Sequence, residues 1–101
     1  MTNQIFNLKT NLIPHQLRTM GHPERLQLLL HLLHNECSIH ELADLTGLET
    51  NAIANHMLKM RQLQMVDYTR FHRVMQYRIV SDTVMQLLQT IVSTQNTEQA
   101  I

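Results

Sequence analysis

The stretch Glu49–Gln64, ETNAIANHMLKMRQLQ, constrains this chain more than any other. At about 100° per residue, Ile53, Met57, Met60 and Gln64 fall on one side of a helix, and Asn51, Asn55, Lys59 and Gln62 fall on the other. One face is to be buried and the other shown. The shown face carries amides and a lysine, groups that reach base edges and phosphates, and almost no carboxylate that DNA would repel. The expectation is a helix that reads double-stranded DNA.

The flanking sequence supplies a setting for such a helix. Ser38-Ile39-His40-Glu41 has the form of a capping box, Ser with Glu three residues on, opening a helix through Ile39, Leu42, Ala43 and Leu45 that Gly47 closes. Two short helices with a glycine turn between them make a helix-turn-helix, whose second helix enters the major groove. Upstream, Leu8, Leu12, Leu17 and Met20 predict a first helix starting near Pro14 and ending at Gly21. His22-Pro23 then opens a second helix with Leu26, Leu29, Leu30 and Leu33 at core spacing and Asn35 as a left-handed C-cap. After Met65 the period shortens to about two. Val66, Tyr68 and Arg70, then Val74, Gln76 and Arg78, read as two antiparallel strands around Phe71-His72-Arg73. The turn lacks the glycine or asparagine of a tight primed turn, so a longer or looser tip is expected. Ser81 can cap a last helix bearing Val84, Leu87, Leu88 and Ile91. Helices, helix-turn-helix, hairpin and helix in that order form a winged helix, mainly α with a small β-hairpin.

Residues 1–101 leave room for one domain, with a core over about 12–92 and a polar tail, 93–101, expected to fray. Eight Lys and Arg balance eight Asp and Glu, which argues against a protein that coats nucleic acid non-specifically. The distribution matters more than the sum: Lys59, Arg61, Arg70, Arg73 and Arg78 outweigh Glu49 and Asp67 between residues 49 and 79. The lone Cys37 excludes an intrachain disulfide framework and fits a reducing compartment. Without a basic, apolar leader at the N-terminus, and with Leu28–Leu33 as the longest apolar run, the expectation is a cytoplasmic protein that does not enter a membrane.

His22-Pro23-Glu24-Arg25-Leu26, Ser38-Ile39-His40-Glu41-Leu42-Ala43, Asn55-His56-Met57, Arg61 and Tyr77-Arg78-Ile79 are collinear, and together they resemble the ArsR/SmtB family of bacterial repressors over roughly residues 12–92. MGHPERLQLLLHLL and HMLKMRQLQMVD look most similar to the branch that includes HlyU, BigR and YgaV. The resemblance implies a homodimeric winged helix, paired through its first and last helices, that leaves a palindromic operator when an inducer binds. It also implies DNA contacts at Thr50, Asn51, Asn55 and His56, of which the facing argument independently selects Asn51 and Asn55, together with Lys59. Asparagine pairs bidentately with adenine, and Lys59 is expected on a phosphate. Two readings of Leu58 stay open: contact with a thymine methyl, or packing beneath the wing. Arg70, His72 and Arg73 at the wing tip are expected on the flanking backbone or in the minor groove. The alternative to a DNA-binding regulator is a winged-helix protein-interaction module using the same exposed helix.

The signal is less legible. His31, His34, Cys37 and His40 form a regular series of nitrogen and sulfur ligands, yet they span a helix, a turn and the next helix, so metal site and surface histidines remain alternatives. In the resemblance, the third-helix cysteine pair of the metal sensors would fall at Ser38 and His40. The last helix has Asp82 but no histidine, and the cysteine of the HlyU/BigR branch is replaced by His31. No cofactor and no inherited inducer site are therefore expected. His40-Glu41-Leu42-Ala43-Asp44 approximates a zinc-protease motif, but Asp stands for the second His and Glu41 already has a capping role, so no enzyme is expected.

Overall fold

Local capping chemistry sets the element boundaries. The computed structural model describes residues 12–100, with side chains described through Asn96. Its described elements are α1 (Leu12–Met20), α2 (Pro23–His34), α3 (Ile39–Thr46), α4 (Thr50–Gln62), β1 (Val66–Phe71), β2 (Val74–Ile79) and α5 (Asp82–Ala100). This is the winged helix-turn-helix order expected from the sequence. His22 Nδ1 accepts the Glu24 amide at 3.1 Å at the head of α2, with Pro23 in its first turn. The α3 capping box is complete: Ser38 Oγ accepts the Glu41 N–H at 3.1 Å, and Glu41 Oε1 accepts the Ser38 N–H at 2.8 Å. Gly47, at φ 77°, ends α3 in the left-handed region that glycine tolerates. Thr46 Oγ1 donates to Leu42 O at 2.7 Å and accepts the Leu48 N–H at 3.1 Å, which fixes the turn into α4. Ser81 Oγ accepts the Val84 N–H at 3.2 Å and opens α5.

One core unites these elements. Met20 of α1, Leu28, Leu29 and Leu32 of α2, Leu42 of α3, and Ile53, Met57 and Met60 of α4 join Val66, Tyr77 and Ile79 of the hairpin and Val84 and Leu88 of α5. The two strands pair antiparallel from Val66 opposite Ile79 to Phe71 opposite Val74. The Cys37 N–H donates to Tyr77 O at 3.1 Å and the Tyr77 N–H to Cys37 O at 2.7 Å, tying the α2–α3 connection to the hairpin. No helix among the described residues is long and apolar enough to cross a membrane.

Three local expectations are revised. Asn35 is extended, at φ −152°, because the chain must run straight into the Cys37–Tyr77 bridge. Gln64 is exposed and lies beyond the end of α4 at φ 60°. The Gln64 N–H donates to Arg61 O at 3.0 Å and the Met65 N–H to Met60 O at 2.9 Å, a Schellman reversal that hands the next core position to Met65. The wing tip is tight: only His72 and Arg73 separate the paired Phe71 and Val74, and His72 takes the left-handed φ of 58°, which histidine reaches more readily than most residues. Along α1 the inward side chains are Gln16, Thr19 and Met20, and Leu17, used in the sequence to place this helix, is exposed; Leu8 lies outside the described residues. Helical backbone in α5 is described through Ala100, with neither Gly nor Pro to interrupt it.

Candidate nucleic-acid interface

Helix α4 is anchored from several sides. Ile53, Met57 and Met60 are fully buried, so its orientation is set by the core and not by its own propensity. Its C-terminal end is fastened by Gln16 Nε2, which donates to Leu63 O at 2.9 Å from α1. Arg61 Nε donates to Asp67 Oδ1 at 2.9 Å, and its guanidinium lies 4.6 Å from the centre of the Tyr68 ring. The Asp67 carboxylate also accepts the Tyr68 amide at 2.8 Å, and these two bonds, the amide first, lower its pKa; the bond to Asp67 raises that of Arg61. Arg61, read from the sequence as part of a local positive excess and of the family resemblance, is thus a clamp between α4 and the start of β1.

What remains outward on α4 is Thr50, Asn51, Ala54, Asn55, Leu58, Lys59, Arg61 and Gln62, all exposed. No carboxylate occurs anywhere in the helix. Thr50, Asn51 and Ala54 share a groove of about 340 Å³ with His40 of α3 and with Arg73 and Val74 of the wing. The N-terminal half of the helix and the wing tip therefore open onto one concave surface. Arg70 and His72 are exposed at the same tip, where the rings of Phe71 and His72 meet edge to face with centroids 5.7 Å apart. Leu58 is 55% exposed and faces a second cleft, with Val66 and Val80, so it does not pack beneath the wing.

His56 is placed differently from its neighbours. Only 15% of its side chain is exposed, and Nε2 donates to Glu24 Oε1 at 2.8 Å. Its ring centroid is 5.2 Å from that of His22. It joins α4 to the head of α2 and is turned away from the groove. His40, by contrast, reaches the groove, a position implied by its exposed place in the first turn of α3.

The histidine and cysteine series is not drawn together: among the described residues no three His, Cys, Asp or Glu side chains are placed to hold a metal ion. Cys37 is buried and its Sγ donates to Asn35 O at 3.4 Å. Burial, and then the nearby Glu41 carboxylate, raises the thiol pKa and disfavours a reactive thiolate. Glu41 itself is engaged with Ser38, and its pKa is lowered chiefly by the Ser38 amide, so the His40-Glu41 pair belongs to a helix cap.

No family model matches the chain. It is 32% identical over 72 residues to the nodulation protein NolR of Rhizobium meliloti, a match covering 71% of this chain and 59% of that protein's length. HlyU from Vibrio cholerae superposes with a TM-score of 0.78 at 25% identity, over 83% of this chain and 91% of that one. The homodimeric winged helix-turn-helix DNA-binding domain of a possible ArsR-family regulator from Mycobacterium bovis superposes with the same score, 0.78, over 98% of this chain and 90% of its own, and at 17% identity that likeness carries the fold alone. In sequence and fold the chain is thus similar to winged helix-turn-helix transcriptional regulators.

Proposed function

We propose that this protein is a homodimeric repressor that binds a palindromic operator, with the N-terminal half of one α4 in the major groove of each half-site. The observation that carries this reading is the carboxylate-free outer face of α4, opening with Arg73 of the wing onto one groove. In it, Asn51 and Asn55 read base edges, Thr50 and Lys59 hold the backbone, and Arg70, His72 and Arg73 grip the flanking minor groove or phosphates. His56 acts indirectly, by fixing the helix against Glu24. Two half-sites about one helical turn apart require two reading helices, and the half-buried or exposed apolar residues of α1 and α5 provide surfaces through which two copies can pair. An unidentified signal that changes the angle between the two units would lower operator affinity by breaking the half-site spacing.

Selection from a random duplex library tests the reading, with recovery of a palindromic consensus as the expected result. Asn55→Ala then costs about 1 to 3 kcal/mol at one base position, whereas Lys59→Ala weakens specific and random duplex alike. Exposed Leu58, Phe71 and Val74 on the same side favour a second reading, a protein-interaction module. Duplex binding that is absent or insensitive to salt selects that alternative.

A further inference from the structure

We propose that the cleft between α1, α2 and the C-terminal half of α4 is a phosphate-binding site. Arg18, Arg25 and Lys59, one from each helix, line a space of about 240 Å³ together with His15 and Gln62, and no carboxylate lines it. None of the three cations has a carboxylate partner among the described residues, whose ion pairs are His56 with Glu24 and Arg61 with Asp67. In a chain of zero formal charge, three cations gathered without a counter-charge oppose one another, and an anion between them removes that opposition.

The donors suit a phosphoryl group. Arg25 Nε donates to Thr19 O at 2.9 Å, which leaves the terminal nitrogens of a held guanidinium free to form a planar fork. Lys59 supplies a point charge and Gln62 a neutral amide donor. The space exceeds the roughly 30 Å³ of one water several times over, so a hydrated phosphoryl group fits. Because the cleft joins α1 to α4, an occupant bridges the first helix and the reading helix. The phosphate can belong to the duplex backbone flanking the bases or to a phosphorylated solute. The duplex source rests on the proposed DNA binding, whereas the solute source does not.

The test is a heteronuclear NMR titration of the full chain with inorganic phosphate, against chloride at matched ionic strength, paired with duplex binding across a salt series. Saturable shifts confined to residues around Arg18, Arg25 and Lys59, weakened at least about tenfold in Arg18→Gln and Arg25→Gln, support the site. A fall of about 0.9 in the salt slope of duplex binding for each substitution assigns the phosphate to the duplex backbone; an unchanged slope with saturable phosphate binding assigns it to a solute. Equal shifts with phosphate and chloride, together with an unchanged slope, overturn the proposal. Arg18→Gln breaks no side-chain hydrogen bond or ion pair among the described residues, so it remains decisive if Arg25→Gln, which loses the Thr19 contact, folds poorly. If the protein binds no duplex, the phosphate titration alone decides.

Discussion

His56, whose DNA contact is implied by the resemblance and not by the facing of α4, has a partner inside the fold. It follows Asn55 directly, about 100° further round the helix, and its tie depends on Glu24, remote in sequence and invisible to any helical pattern. His56→Ala is expected to lower stability by about 1 kcal/mol through the lost hydrogen bond, and to weaken specific and random duplex to the same extent. Denaturant unfolding beside binding to both duplexes checks this, and a loss confined to one base position would return His56 to the reading face. Gln64 taught the reverse lesson. Its place on the apolar stripe followed from continuing α4 one turn too far, because no glycine marked the reversal. Holding glutamine at φ 60° is unfavourable, so Gln64→Gly should raise stability by up to about 1 kcal/mol, seen as a higher denaturant midpoint with an unchanged slope. Residues whose roles depend on chemistry within one element or cap, such as Ser38, Glu41, Gly47 and Ser81, were legible; those whose partner lies in a neighbouring element, such as Arg61 with Asp67 and Arg25 with Thr19, were not.

At the level of elements, the change of period at Met65 and the capping box of α3 gave the strands and helices their places, because each signal is local and stereochemical. The tightness of the wing tip is not legible in the sequence, since it rests on one histidine in a left-handed conformation, a minority choice that no pattern announces. The same local chemistry gives α3 and the α4–β1 junction a pH dependence. Glu41 is held below its ordinary pKa first by the Ser38 amide, and Asp67 first by the Tyr68 amide and then by Arg61. A carboxyl lowered on folding contributes stability that is fully present above its unfolded pKa of about 4 and is lost as pH falls through the lower folded value. Melting temperature should therefore be level from neutrality to about pH 5 and decline below about pH 4. Glu41→Gln should reduce that decline while lowering stability at neutral pH, and a decline of the same depth in the variant would show that the acid sensitivity lies elsewhere.

On the scale of the whole molecule, the proposed function puts one α4 in each half-site, so it requires a pairing surface that has no role inside the monomer. Leu17 of α1 is 49% exposed although the helix is otherwise packed inward through Gln16, Thr19 and Met20. In α5, Val84 and Leu88 enter the core while Leu87, Ile91 and Val92 stay half-buried, so apolar area on the first and last helices is left uncovered. Apolar periodicity predicts that such residues are on a helix stripe, but it does not say whether the stripe meets its own core or a second copy; Leu17 was legible as apolar and not as outward. Leu17→Glu places a charge on this surface without entering the core. In the dimeric reading, sedimentation equilibrium should show the variant as a folded monomer whose unfolding midpoint is lower than the parent's and no longer varies with protein concentration. Its affinity for a single half-site should match that of the parent, because the groove between α4 and the wing is untouched. Its affinity for the full palindrome should fall by about a hundredfold or more, since the second half-site no longer benefits from the effective concentration that pairing supplies. A variant that stays dimeric would move the pairing surface away from α1, whereas a monomer that keeps full affinity for the palindrome would remove dimerisation from the mechanism of recognition.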